Sequence, residues 1–426
     1  MSALIGPPGL APFRVRAFRL QWPADLLTSC AFEMETLILG WYVLVETGSV
    51  LLLTLFGALQ FAGTLVAPLF GVAGDRIGHR NLLCIMRTVY AALAILLMSL
   101  AFAGALNPML VFVIAGLNGL VRPSDLGVRT ALVADNVARD QLVAAMGISR
   151  TTSDCARVAG ALAGAGMFAA FGIGPAYVAV SSFYALGLLF TLAIPAAAAR
   201  PHAGDGAQAG VQRPSAWRDL REGLAYVWSK PQLLAAMSIA FLVNMTAYPQ
   251  SNGLLPYVAK NIYGIDQTGL GYLVASFASG ALLGSVALSW RGSGRPARLM
   301  IAAALGWYTM LLLFARMPGP SGAVVMLALA GFMQSLCMVT LAVLLLRETP
   351  DKFRGRVMGV RMLVIYSLPL GLLAAGALIE RFGFPTTATL YSLVGLTFTL
   401  LIALRWRADL RKADTVPSPR PSRGEG

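Results

Sequence analysis

The sequence predicts an all-α membrane protein: twelve transmembrane helices in two six-helix bundles, with both termini cytoplasmic. Three observations carry that expectation. Hydrophobic runs of about 20 residues, the length a helix needs to cross a ~30 Å hydrocarbon layer, recur twelve times. All but three of the 33 Lys and Arg residues lie at alternate ends of those runs, the exceptions being Lys260, Arg316 and Arg381. Basic residues beside a span resist translocation and stay cytoplasmic. One long polar connection then divides the runs six and six.

Composition excludes other classes. Apolar residues make up 57% of the chain and charged residues only 12%, more apolar character than a water-soluble core requires. The formal net charge of +14 would suggest nucleic acid if it formed one patch. It is instead dispersed over loops that face an anionic leaflet, so no nucleic-acid partner is expected.

The expected spans are 22–46, 50–74, 81–104, 107–131, 144–171, 174–198, 233–259, 267–290, 298–316, 320–346, 357–381 and 385–405. Arg14, Arg16 and Arg19 precede the first, which is too long for a signal-peptide core and reads as an uncleaved anchor. Connections after odd-numbered spans, such as Glu46 to Val50 and Ala105 to Asn107, are short and poor in basic residues. Those after even-numbered spans hold Arg76 and Arg80, then Arg129 and Arg139, then Arg291, Arg295 and Arg298, then Arg347, Lys352, Arg354 and Arg356.

The domains expected are an N-terminal bundle over 1–198, a cytoplasmic linker over 199–232, a C-terminal bundle over 233–405 and a disordered tail over 406–426. The linker begins with a small-residue polar stretch. It ends in AWRDLREGLAYVW, an interfacial helix with Trp217, Leu220, Leu224 and Val227 on one face and Arg218, Asp219, Arg221 and Glu222 mostly on the other.

Cys30, Cys84, Cys155 and Cys337 all fall inside spans at no CxxC spacing, and His79 and His202 fall in loops. Neither a disulfide framework nor a metal site is expected, and no cofactor. No P-loop pattern is present, so direct ATP drive is unsupported. An enzyme or a non-transporting sensor would need a soluble domain or a cluster of catalytic His, Cys or Ser; neither is expected here.

Residues 71–83, GVAGDRIGHRNLL, form the second-to-third connection. Gly71 allows close helix approach, Gly78 allows a tight turn, and Asp75 and Arg76 set opposite charges at helix ends. This stretch resembles the loop signature of the major facilitator superfamily, G-x-x-x-D-R-x-G-R-R. Gly71, Asp75, Arg76, Gly78 and Arg80 match, and His79 departs from the usual basic residue. The resemblance implies a loop that latches the cytoplasmic face. RPSDLGVRTALVADNVARDQLVAAMGISR from Arg122, DLREGLAYVWSKPQL and PDKFRGRVMGV resemble the export-type branch that includes drug and siderophore (enterobactin-type) exporters. Asp140 to Gly147 echoes Asp351 to Gly359, as a duplication of parallel six-span units would. ARVAGALAGAG over 156–166 resembles the antiporter signature of the fifth span, with Gly160, Gly164 and Gly166 as a small-residue face and Gly160 near the place of the missing proline. Plain helix packing accounts for those glycines equally well.

Ionisable residues inside a bilayer cost about 2.5–3.5 kcal/mol on insertion scales, so each is a functional candidate. In the first span Asp25, Ser29, Glu33 and Gly40 fall near one face, and Glu33 lies ~15 Å along the axis from Pro23. Glu35 points about 200° away, so the two acids cannot both face one cavity. Glu33 is expected in the cavity, as a proton-coupling or structurally paired carboxylate, and Glu35 toward a neighbouring span. Arg150, Asp154 and Arg157 share one face of the fifth span, with an Asp154–Arg157 pair expected either in the cavity or snorkelling near the surface. Arg122 and Asp125 have the same two readings. The proton-coupling candidates are thus Glu33, Glu35 and Asp154.

Polar residues of other spans complete a candidate substrate surface: Arg157, Asn118, Asn244, Tyr248, Gln250, Gln334 and Tyr366, with Asn252 and Ser335 beside them. Tyr248 and Pro249 suggest a broken helix, where transporters expose backbone to substrate. The expectation is a secondary transporter exporting an amphipathic small molecule, a drug or siderophore, in exchange for protons by alternating access. A proton-coupled importer or lipid flippase is the alternative. Its partners are the lipid bilayer, the substrate and protons, and it acts as a monomer, multi-pass in a bacterial inner membrane.

Overall fold

A computed structural model describes residues 8–64, 66–138, 140–195, 216–291 and 294–415, and among these there is no strand. A 3-10 turn over Pro8–Arg14 leads into α1 (Arg16–Thr47), followed by α2 (Val50–Leu59), α3 (Ala67–Ile77), α4 (His79–Phe102), α5 (Pro108–Asn136), α6 (Leu142–Phe171) and α7 (Ile173–Leu192). After α8 (Ala216–Ser229) come α9 (Pro231–Leu242), α10 (Leu255–Tyr257), α11 (Gln267–Arg291), α12 (Pro296–Phe314), α13 (Pro320–Glu348), α14 (Asp351–Ile365), α15 (Ser367–Phe382), α16 (Phe384–Arg405) and α17 (Arg407–Thr415).

Local chemistry sets many boundaries. Pro108, Pro231, Pro296 and Pro320 each open a helix, where a missing N–H costs nothing. Ser49 and Asn107 cap α2 and α5 by accepting from the N–H of Leu52 (3.3 Å) and Leu110 (3.0 Å). The α3–α4 turn passes through Gly78 at φ +85°, a conformation that a Cβ strains.

Among the described residues, nine helices are long and apolar enough to cross a membrane. The three further spans expected are α1, the α2–α3 stretch and α6. The first and last carry acids and arginines within their apolar runs, and the expected 50–74 span is broken. Its break lies at Gln60, followed by a 3-10 turn over Ala62–Thr64. There the backbone lies against α5 so closely that a Cβ on Gly63 or Gly119 would overlap the carbonyl of Leu120 or Leu59.

Two compact units divide the chain. The first comprises the described residues of Met1–Arg213 with Leu255–Ala278, the second those of Pro214–Leu254 with Ser279–Gly426. In the first, α1 packs on α6 and α7, and α4 on α7, around Met34, Ile38, Tyr90, Tyr177 and Tyr184. Gly160 and Gly164 bring α6 onto the α1 backbone: an added Cβ would stand 2.8 Å from Cys30 O or Met34 Cα. Gly166, expected on the same close face, has open space instead. Without a hydrophobic drive between helices in lipid, such backbone approach is what holds neighbours together. Ile85, Leu96, Val113, Leu117 and Leu189 project outward, as lipid-facing side chains do.

In the second unit α12 packs on α13 and α16 around Trp307, Tyr308, Phe314 and Leu341. The helix begun by α9 changes to π geometry over Val243–Ala247 and Pro249–Gly253; a further π segment, Val258–Ile262, belongs to the first unit. The irregularity expected at Tyr248 and Pro249 is therefore present. Proline removes a ladder hydrogen bond, and π-bulges concentrate at functional positions.

The packed face of α8 differs from the sequence expectation. Val227 is buried, but Leu224 is exposed and so is Trp228; the side chains of Trp217 and Leu220 lie outside the described set. A stack of Tyr226 on Phe353 of α14, with ring centroids 4.5 Å apart, and the seating of Gly223 on the Arg356 backbone rotate the helix. Glu222 then meets Arg356 at 2.9 Å. Within the 406–426 stretch expected to be disordered, Arg407–Thr415 is helical, and the rest lies outside the described residues. The first half of the linker, 199–215, lies outside them too.

Candidate functional site

The first unit sets Asp25, Glu33, Glu35, Asp125 and Asp154 among Arg87, Arg122, Arg129, Arg150 and Arg157. Asp25 on α1 pairs with Arg87 of α4, and Arg129 of α5 approaches the same carboxylate to 3.6 Å. Arg129 also pairs with Asp125 one turn earlier and donates to Ser29 Oγ at 2.9 Å. Gln21 donates to Asp25 at 3.3 Å and to the carbonyl of Arg129 at 2.9 Å. Arg87, whose side chain is 0% exposed, donates to Thr191 Oγ1 and to Gly187 O on α7. Two carboxylates thus offset two guanidiniums, the condition for holding charges away from water.

One and a half turns along α1 from Ser29, Glu35 is buried. Its carboxylate accepts from Tyr184 OH at 2.7 Å and Asn118 Nδ2 at 3.2 Å. Glu35 does face a neighbouring span, and Asn118, expected on a substrate surface, is spent on holding it. Arg122 donates to Thr36 at 2.9 Å and to Gln60 at the break after α2, and its guanidinium lies 4.6 Å from the Phe32 ring centroid. Arg129 approaches the same ring at 5.7 Å, so the π-cloud of Phe32 attracts two cations.

Of the two acids at the middle of α1, Glu33 is the more accessible. Its side chain is 27% exposed and lies 3.6 Å from Arg157 of α6, itself 31% exposed. The expected Asp154–Arg157 pair gives way to two others: Asp154, buried, meets Arg150 at 3.2 Å, and Arg157 turns to Glu33. The cause is helix approach, since at Gly160 an added Cβ would stand 3.0 Å from Glu33 Cβ.

At the loop motif Arg80 donates to Leu192 O at 2.6 Å, tying the start of α4 to the end of α7. His79 Nδ1 lies 2.7 Å from Asp135 at the end of α5, so the departure from the motif has its own partner. Arg76 is exposed, and the side chain of Asp75 lies outside the described set. Gly71, read as a close-approach glycine, faces open space; the tight contact belongs to Gly74, where a Cβ would stand 2.8 Å from the His79 ring.

The polar set of the second unit is neutral. Gln334 donates to Tyr248 OH at 2.7 Å, Trp307 meets the Tyr248 ring edge-on at 5.1 Å, and Trp307 Nε1 donates to Ser251 at 3.3 Å. Gln250 donates to Thr246 O at 2.9 Å beside Ser392, and Thr246 bonds Tyr308 at 2.7 Å. These residues form one cluster around the π segments. Asn244 instead donates to Ala240 O in its own helix, Asn252 is exposed, and Tyr366 stands at the α14–α15 junction.

Sequence reasoning missed Arg87, Gln60, Phe32 and Tyr184. Arg87 stands within α4 in the run CIMRTVYAAL, and an arginine inside a span is itself a signal. Among the described residues no cluster of His, Cys, Asp and Glu could hold a metal.

The sequence matches the family model of the Major Facilitator Superfamily over residues 24–372. It is 27% identical to the multidrug efflux pump Tap of Mycolicibacterium fortuitum, covering 89% of this chain and 92% of that protein. Macrolide efflux protein A of Streptococcus pyogenes is 22% identical over 84% of this chain and 87% of its own. The enterobactin exporter EntS of Escherichia coli (strain HS) is 25% identical over 72% and 70%. Among solved structures, the nucleoside transporter NupG superposes with a TM-score of 0.67 at 16% identity, covering 93% of this chain and 99% of that one. At that identity it shows a shared fold alone.

Proposed function

The chain belongs to the Major Facilitator Superfamily of membrane transporters, and we propose that it exports an amphipathic small molecule, a drug or siderophore, in exchange for protons by alternating access. It is a multi-pass transporter with efflux-pump relatives and not an enzyme. The names of those relatives support the direction and the substrate class.

The observation that carries proton coupling is the contrast between Glu33 and Glu35 at the middle of α1. Glu35 has both carboxylate oxygens engaged and is buried, whereas Glu33 is part-exposed and held by one guanidinium. A carboxylate of that kind can take a proton or pair with a cationic group. Proton and cation then compete for one site, so binding either expels the other, the elementary requirement for exchange. Arg157 offers the complementary charge to an acceptor group on the substrate. Asp154, buried against Arg150, is the second candidate. Within the second unit, the neutral cluster of Tyr248, Gln250 and Gln334 supplies hydrogen bonds to a bulky ligand, with Asn244 and Tyr366 as further candidates.

The same reading holds the loop of Gly71, Asp75, Arg76, Gly78 and Arg80 as a cytoplasmic gate, supported by the Arg80 bond to the end of α7. It keeps twelve spans with six-span halves over 1–198 and 233–405, cytoplasmic termini, a monomer and a bacterial inner-membrane location. The sorting of basic residues and the bacterial relatives support these.

The test is proton movement in proteoliposomes on addition of a panel of siderophores and drugs, with wild-type protein and Glu33→Gln. Proton flux opposite to substrate flux, lost in the variant, is expected. Substrate movement without proton flux would leave a uniporter or flippase and return Glu33 to a structural role; co-directional fluxes would mark an importer.

A further inference from the structure

A groove of about 420 Å³ opens between the start of α12, the end of α16 and α17, within the second unit. Its lining mixes two chemistries. Arg298, Arg407 and Arg411 line it together with the apolar Ile301, Leu305 and Leu410. The size falls in the ~300–1,000 Å³ range of small-ligand clefts.

α17 is built to hold its arginines there. Leu410 and Ala413 are buried, and Asp414 near its end accepts from the backbone N–H of Ala297 at 2.9 Å and of Arg298 at 3.3 Å. The same carboxylate lies 3.5 Å from the Arg298 guanidinium, and its side chain is 2% exposed. Asp414 is therefore committed to the first turn of α12. Arg407 and Arg411, one turn apart on a single face, are exposed and make no ion pair among the described residues. Asp409 lies about 200° from either and does not neutralise that face. The groove keeps a surplus of positive charge.

Its depth is also marked. α16 exposes Leu400, Leu401 and Leu404 and ends at Arg405, whose guanidinium lies 5.8 Å from the Trp406 ring. Arginine and tryptophan closing an apolar helix mark the membrane–water interface. The basic end of the groove thus lies at headgroup level, and Ile301 and Leu305 lead from it along α12 into the apolar layer.

We propose that this groove binds one anionic phospholipid, its phosphate between Arg298, Arg407 and Arg411 and its upper acyl carbons against Ile301 and Leu305. A free anion would use the arginines and leave the apolar wall unused; a zwitterionic lipid would bring a cation to a surface already positive. Occupancy ties α17 to α12 and α16 through charge as well as through Asp414.

The test titrates full-length protein in non-ionic detergent with phosphatidylglycerol, phosphatidylcholine and inorganic phosphate, reading the thermal unfolding midpoint. Phosphatidylglycerol alone is expected to raise it. Arg407→Gln with Arg411→Gln should demand at least tenfold more phosphatidylglycerol for the same rise. Ala302→Trp, at an exposed lining position, should do likewise by filling the groove at unchanged charge. Should the double variant fail to fold, Ala302→Trp and the lipid comparison decide. Equal rises with phosphatidylcholine would overturn the charge selectivity, an equal rise with inorganic phosphate would mark a free-anion site, and a wild-type titration in either variant would place the lipid elsewhere.

Discussion

The first unit holds its polar interior with charge, the second with neutral hydrogen bonds. Asp25, Arg87, Asp125 and Arg129 interlock in the first, whereas Tyr248, Gln250, Gln334 and Trp307 meet through hydroxyl, amide and indole groups in the second. The difference teaches that the halves of one fold can be held by interactions of unequal strength. A buried charge left without its partner is far costlier than a lost neutral hydrogen bond. A charged interior is therefore intolerant of single substitutions but able to respond to a proton, and a neutral one is tolerant and adaptable.

Breaking that contrast should show first at Arg87. Arg87→Leu leaves Asp25 with Gln21 and the more distant Arg129, and thermal unfolding in detergent should register a loss of about 3–5 kcal/mol. Adding Asp25→Leu should recover a large share; no recovery would show that the two residues act separately.

Overpacking comes next. At Gly164 a Cβ would stand 2.8 Å from the α1 backbone, so Gly164→Val should cost about 1–3 kcal/mol, and Gly166→Val, in open space, almost nothing. Equal costs would mean that α6 does not lie on α1 through that face.

In the second unit the expected effect is smaller. Tyr248→Phe removes the acceptor of Gln334 and should cost about 1 kcal/mol in stability. In transport assays it should alter apparent substrate affinity and leave proton movement per substrate unchanged; a change in that ratio would move coupling into the second unit. Smallest of all, Gly71→Ala should cost no stability and add less than about 1 kcal/mol, because nothing stands within 4 Å of the added Cβ and alanine is the better helix former. A slowed transport rate at undiminished stability would show that the close approach forms only in another conformation of the cycle.

Much of this architecture is legible in the chain. The hydrophobic runs, the proline-led helix starts and the irregularity at Tyr248 and Pro249 follow from local chemistry. The break at Gln60 is not legible, because it arises where the backbone of one span meets that of α5. The face of α8 was misread for the same kind of reason: its periodicity permits several packed faces, and the Phe353 ring selects one.

For the candidate site, sequence alone determined that Glu33 and Glu35 face apart, since 3.6 residues per turn set them about 200° from each other on any helix. It also determined that every intramembrane charge needs a partner, because the bilayer core offers no water. Only the tertiary structure decided which partner. Arg87 meets Asp25 across 62 positions and Tyr184 meets Glu35 across 149, and Arg157 leaves Asp154 for Glu33 once Gly160 lets two helices close. Helical periodicity says which way a side chain points, and the packing of distant segments says what it finds there.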